Sequence, residues 1–211
     1  MLHKHSSIID PKTFLLIQEL QALPELKKFY LVGGTSLALP LGHRNSIDID
    51  LFTQDDFNEE TIYNLLTPLY EVQEIFRRKN TIISLLNNIK TDFIKHSYPF
   101  ILPPITEEGI TFISKQDIAA MKLHAIIQSR KRLKDFIDVY FLLQHFSLKQ
   151  MVEFFAKKYT YTNSIIALKA INFFEDIDEN IDPPKLLKPL PLKQIKNRIQ
   201  EATQKPDKVF A

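Results

Sequence analysis

Apolar residues recur first with a helical period and then with a strand period. In KTFLLIQELQAL, residues 12–23, Phe14, Leu15, Ile17, Leu20 and Leu23 fall on one helical stripe until Pro24 stops it, which predicts a helix. FYLV at 29–32 reads as a short buried strand running into Gly33-Gly34-Thr35, and SLALPL then opens a short helix or turn ending at Gly42. IDIDLF at 47–52 alternates, with Ile47, Ile49 and Leu51 on one face and Asp48, Asp50 and Phe52 on the other. A second amphipathic helix fits 58–68, and strand-like runs follow at 70–77, 81–86 and 89–95. Asn87-Asn88 makes a tight hairpin between the last two, because asparagine tolerates positive φ. The order of these elements predicts an α+β sheet domain over residues 1–112.

From Ser114 the pattern is helical only. SKQD opens like a capping box, with Asp in place of Glu or Gln, and the helix runs to about residue 130. A helix at 134–146 carries Phe136, Val139, Tyr140 and Leu143 as its apolar stripe, and others fit 148–158, 163–174 and 192–204. EDIDENIDPP at 175–184 reads as a solvated turn. Residues 113–211 are therefore expected to form an all-helical domain.

Composition narrows the class. With 211 residues, 45% hydrophobic and 25% charged, the chain is an ordinary globular one, not disordered, collagenous or a membrane bundle. No run approaches the roughly 20 apolar residues of a spanning helix, and MLHKHSSIIDPKTF lacks a secretory core, so a cytoplasmic location away from any membrane is expected. The absence of cysteine excludes disulfides, thiolate metal sites and a cysteine nucleophile. A net charge of +2 leaves any phosphate-binding surface to local clustering. Only four glycines are present, yet Gly33, Gly34 and Gly42 fall within ten residues, so that stretch needs a permissive backbone.

The candidate chemistry begins with Asp48 and Asp50. On one strand face they lie roughly 6.5–7 Å apart at Cα, and such like charges call for a cation between them. A divalent ion with hard oxygen ligands, Mg²⁺ or Mn²⁺, is the usual answer, although a D-x-D pair is also common on plain exposed strands. Gly33-Gly34-Thr35 after a strand and before a helix suits phosphate, or is a simple tight turn; neither a Walker loop nor a dinucleotide fingerprint is present. Asp92 adds a third carboxylate on a later strand, with Lys90 and Ile94 as face-mates, which suggests two-metal phosphoryl chemistry. Lys122 sits on an otherwise apolar strip between Ile118 and Ile126, where a lysine snorkels or meets an anion. Asp135 and Asp138 share a helix face and repel unless a cation relieves them; Arg130, Lys131, Arg132 and Lys134 stand nearby, or form a solvated helix end.

With these residues in view, VGGTSLALPLGHRNSIDIDLF resembles the signature of the AbiEii/AbiGii-type nucleotidyltransferase toxins, a branch of the DNA polymerase β-like nucleotidyltransferase superfamily. The Gly42-His43-Arg44-Asn45-Ser46 element makes the match specific to the toxin branch. SKQDIAAMKLHAIIQSRKRLKDFIDVYFLL resembles the helical half of the same family. The resemblance implies a polymerase-β-like nucleotidyltransferase sheet domain followed by a helical domain that contributes nucleotide and acceptor contacts. It implies transfer of a nucleoside monophosphate from an NTP to an acceptor hydroxyl, a tRNA 3′ end being favoured. Asp48, Asp50 and Asp92 would hold Mg²⁺ or Mn²⁺, and Gly33, Gly34, Thr35 and Ser46 would cradle phosphate. Lys122 would neutralise the departing pyrophosphate, while Asp135 and Asp138 would orient it or touch the nucleotide. Arg44, Arg130 and Arg132 would meet the acceptor or its phosphates, Arg44 being alternatively structural. The biological setting implied is a type IV toxin–antitoxin or abortive-infection system of a bacterium, with a cognate antitoxin encoded nearby. The competing readings are a metal-dependent nuclease, which Lys90 beside Asp92 keeps open, and a non-catalytic interaction protein retaining the fold.

Overall fold

A computed structural model describes residues 1–181 and 183–211, so Asp182 of the expected acidic turn lies outside the described residues. Contacts divide the chain into two compact units, one of Met1–Pro99 with Pro103–Ile113 and one of Phe100–Leu102 with Ser114–Ala211.

The first unit opens with helix α1, Pro11–Ala22, where Pro11 takes the first helical position and the Asp10 side chain accepts from Lys12 N. Strand β1, Tyr30–Leu31, leads into α2, Gly33–Leu41, which stops at Gly42 in the left-handed conformation, φ 62°. Then come β2, Ile49–Thr53; α3, Glu59–Leu66; and the strands β3, Val72–Arg78, β4, Thr81–Leu86, and β5, Ile89–Lys95. Asn87 and Asn88 turn between β4 and β5 with φ of 50° and 65°, as the hairpin reading required.

A second hairpin, β6 at Ile105–Glu107 and β7 at Ile110–Phe112, went unread in the sequence because three-residue strands are too short to show an alternation. It turns at Glu108 and Gly109, both at positive φ. The sheet order is β3-β4-β5-β2-β1-β7-β6, with β2–β5 and β1–β7 parallel. Leu16, Ile17 and Leu20 of α1 join Leu31, Ile49, Leu51, Ile82, Phe93 and Ile110 in its core.

Ile47 departs from expectation. The strand begins only at Ile49, and Ile47 is 54% exposed instead of sharing the core face with Ile49 and Leu51. The preceding loop is pinned elsewhere, by Ser46 N donating to Ile8 O and by Thr35 Oγ1 on Asp48 O, so the alternation does not extend through it.

The second unit holds α4, Lys115–Gln128; α5, Leu133–Leu142; α6, Leu148–Lys158; α7, Ser164–Ile171; and α8, Leu192–Gln204. Ser147 and Gln150 form a complete capping box at α6, and Phe136, Val139, Tyr140 and Leu143 are buried as their stripe predicted. At α4, Ser114 accepts from Asp117 N, while the Asp117 carboxylate accepts from Ser114 Oγ, Ile101 N and Lys158 Nζ. Among the described residues no helix is long and apolar enough to cross a membrane.

Candidate active site

The glycine turn is shaped by what presses on it. Gly33 has φ 70°, and a Cβ there would overlap Asp50 Oδ2; one at Gly34 would overlap the Arg44 guanidinium. Bare backbone is therefore what lets the β2 carboxylate lie against the start of α2. Thr35 Oγ1 hydrogen-bonds Ser46 Oγ at 2.8 Å and Asp48 O at 2.5 Å. Both residues are buried, so their hydroxyls fasten the Asp48 backbone to α2.

Parallel pairing of β2 with β5 sets Asp50 directly opposite Asp92, and Asp48 precedes Asp50 by two residues. Neighbours in register on parallel strands face the same side of the sheet. Asp92 is buried; its Oδ2 accepts from Lys90 Nζ at 2.6 Å, and its Oδ1 is buried with no hydrogen-bond partner. Burial pushes the Asp92 carboxyl above its ordinary value, Asp48 adds to the effect, and Lys90 opposes both. The Lys90 ammonium is pushed up: burial works against it, but its hydrogen bond to Asp92 and the charges of Asp92, Asp50 and Asp48 prevail. One ammonium gains from three acids, whereas one acid regains less from that ammonium than it loses to burial and to Asp48.

An orphaned carboxylate oxygen in a group of hard oxygen donors fits a divalent ion such as Mg²⁺ or Mn²⁺, and the residues that would hold one are Asp48, Asp50 and Asp92. Among the described residues no three His, Asp or Glu side chains already converge as a ligand shell. Lys90 is the internal cation instead. Alternation from Asp92 pointed to Lys90 as a neighbour, but only the fold shows it inside the acidic group. A cleft of about 380 Å³ reaches Asp48 and Lys90 from one side.

In the helical unit Lys122 does not snorkel. Its buried Nζ lies 2.9 Å from Asp135 Oδ1 and 2.7 Å from Asp138 Oδ2, and both acids are fully buried. Arg132 brackets Asp135 Oδ2 through Nε at 2.9 Å and Nη2 at 2.8 Å. The repulsion expected between Asp135 and Asp138 is thus relieved by Lys122 and Arg132 together.

Arginines expected to meet an acceptor are engaged within the fold. Arg44 is 2% exposed, its guanidinium against Gly34 and its Nη1 donating to Asn45 O at 2.9 Å. At that burial Arg44 suits the structural alternative. Arg130 Nε lies 3.1 Å from Asp176 Oδ2, with its guanidinium over the Phe173 ring. Arg130 and Arg132 each keep about half of the side chain exposed despite these partners.

The chain is similar to known proteins along most of its length. The pattern of the family described as "Nucleotidyl transferase AbiEii toxin, Type IV TA system" matches residues 15–108 and 83–208. A protein of Aquifex aeolicus (strain VF5), aq_aa25, is 34% identical over 171 residues, which span 78% of this chain and 82% of that one. Two solved structures share the fold. MenT4, a nucleotidyltransferase toxin from Mycobacterium tuberculosis, aligns with TM-score 0.59 and 14% identity over 92% of this chain and 84% of its own. JHP933 from Helicobacter pylori aligns with TM-score 0.57 and 15% identity over 93% and 89%.

Proposed function

The chain belongs to the AbiEii nucleotidyltransferase toxin family, and from that premise we propose that it transfers a nucleoside monophosphate from an NTP to the 3′-hydroxyl of an RNA, a tRNA end being favoured. The observation that supports this best is the register of Asp50 against Asp92, with Asp48 alongside and the glycine turn packed on Asp50.

When bound, Mg²⁺ or Mn²⁺ supplies charge neutralisation for the triphosphate and acidifies the attacking hydroxyl. Backbone N–H groups at the start of α2, at Gly33, Gly34 and Thr35, receive phosphate oxygens. The acceptor oxygen forms its bond to the α-phosphorus as the bond from that phosphorus to the bridging oxygen breaks, and pyrophosphate leaves with the electron pair. Asp92 would hold the ion on the acceptor side, with Oδ1 available to it, and would take the hydroxyl proton as the new bond forms. The protein acts in the cytoplasm as the toxin of a type IV toxin–antitoxin or abortive-infection pair, held in check by an antitoxin encoded nearby.

The test is incubation with Mg²⁺, total bacterial RNA and each α-labelled NTP in turn, alongside Asp48→Ala. Label enters RNA with the wild type only, the variant losing at least about 10³-fold, on the scale of removing one preorganised charge-stabilising group; EDTA abolishes it. Label in protein redirects the acceptor, and no label with intact NTPs ends the transferase reading. One observation favours a second reading: the Lys90–Asp92 ion pair at 2.6 Å resembles the lysine and acid of metal-dependent nucleases. RNA cleaved with Mg²⁺ in the absence of NTP would establish it.

A further inference from the structure

The cleft that reaches Asp48 and Lys90 is not accounted for by the nucleotide chemistry above. It shares Asp48 with the acidic group, yet none of Gly33, Gly34, Thr35 or Asp50 lines it. The glycine turn abuts Asp50, which does not line the cleft, whereas Asp48 does. Transfer at phosphorus sets the attacking and leaving oxygens roughly in line, on opposite sides of the reacting atom. With the triphosphate placed at the glycine turn, the cleft beside Asp48 is the place assigned to the acceptor.

The geometry points to this cleft as the pocket for the terminal nucleotide of a single-stranded RNA end, an inference that rests on the transfer reading above. Ile47, which the strand pattern assigned to the core and the fold exposes, forms an apolar wall with Leu85 and Ile89, where a base packs. The exposed Asn88 carboxamide and the Nδ2 of Asn87, whose Oδ1 accepts from Glu71 N at 2.9 Å, stand at the hairpin tip for the polar edge of that base. Lys12 supplies positive charge for the phosphate behind it, while Lys90 is held by Asp92 at 2.6 Å. Asp10, the acid at the mouth, is turned toward α1, its Oδ1 accepting from Lys12 N. At about 380 Å³ the cleft is at the small end of ligand sites, which suits one unstacked nucleotide and not a duplex.

A short RNA ending in 4-thiouridine, photocrosslinked to the wild-type protein and mapped by mass spectrometry, tests the pocket directly. Crosslinks are expected on Ile47 or on residues 85–89. In steady state, Ile47→Ser and Lys12→Met raise KM for RNA about tenfold, the scale of one lost base stack, and leave KM for the NTP unchanged. A crosslink elsewhere, no crosslink, or an RNA KM within twofold of wild type in both variants overturns the inference. Transfer to RNA with the crosslink outside the cleft sinks the pocket and spares the transfer reading. A crosslink in the cleft without nucleotide addition sinks the transfer reading and spares the pocket. Should a variant fail to fold, the wild-type crosslink decides alone.

Discussion

Folding works against the ionisation of Asp92. Burial and Asp48 hold its proton more tightly in the native state than in the unfolded chain, and Lys90 recovers only part of the difference. A carboxyl whose folded-state pKa is raised makes the native state the one with more bound protons, so stability falls as pH rises from the ordinary carboxylate value through the raised one. Asp92→Asn removes that slope. In calorimetry of the metal-free protein, its Tm advantage over the wild type grows as pH rises above the ordinary carboxylate value of about 4, reaching about 2–4 °C. A constant offset across that range would mean that Lys90 compensates fully. Lys122 presents the opposite case, a cation sandwiched between fully buried acids. Lys122→Met leaves Asp135 and Asp138 one positive charge short and costs about 3–5 kcal/mol in urea unfolding. Adding Asp138→Leu to it recovers part of that loss, since the charge is then removed with its partner. A burial-prone lysine and two acids on one helix face were legible from spacing; that they answer one another was not, because their pairing joins α4 to α5.

At the scale of elements, helices with clear caps were read closely. The bounds expected for α6 and α8, 148–158 and 192–204, coincide with Leu148–Lys158 and Leu192–Gln204. Their periods are local, as is the capping box of α6, so nearest-neighbour physics decides where they start and stop. The β6–β7 hairpin is different, because its place depends on a partner far away in the chain. Gln21 of α1 donates through Nε2 to Phe29 O and Thr111 O and accepts at Oε1 from Thr111 N, stitching β7 beneath the helix. Gln21→Leu fits the apolar stripe yet strips Thr111 N and two carbonyls of their partners. A fully buried group left so costs about 1–3 kcal/mol, and the two Thr111 groups, half-buried, recover part of that from water. The variant is expected to lose about 2–4 kcal/mol in urea unfolding, with faster hydrogen exchange at Thr111. Unchanged exchange there would show that the stitch is not what holds the hairpin.

On the scale of the whole chain, a single buried carboxylate organises the helical unit. Asp117 takes Lys158 Nζ at 2.8 Å and the Ile101 amide, so it ties α6 and the short 100–102 segment to the start of α4. Lys158→Met buries an uncompensated charge. A loss of about 3–5 kcal/mol is expected, read as faster exchange of the Ile101 and α4 amides with the sheet unit as internal reference. By itself the sequence determined the periods and turns, and the need for bare backbone at residues 33–34. Each of these rests on interactions between residues close along the chain. Only the tertiary structure decided that Asp50 lies in register with Asp92, that Lys90 neutralises the group, that Arg44 is buried, and that Ile47 faces a cleft. Those outcomes depend on which distant strands pair and in what register. That choice is made by burial of the common core, and no local spacing records it.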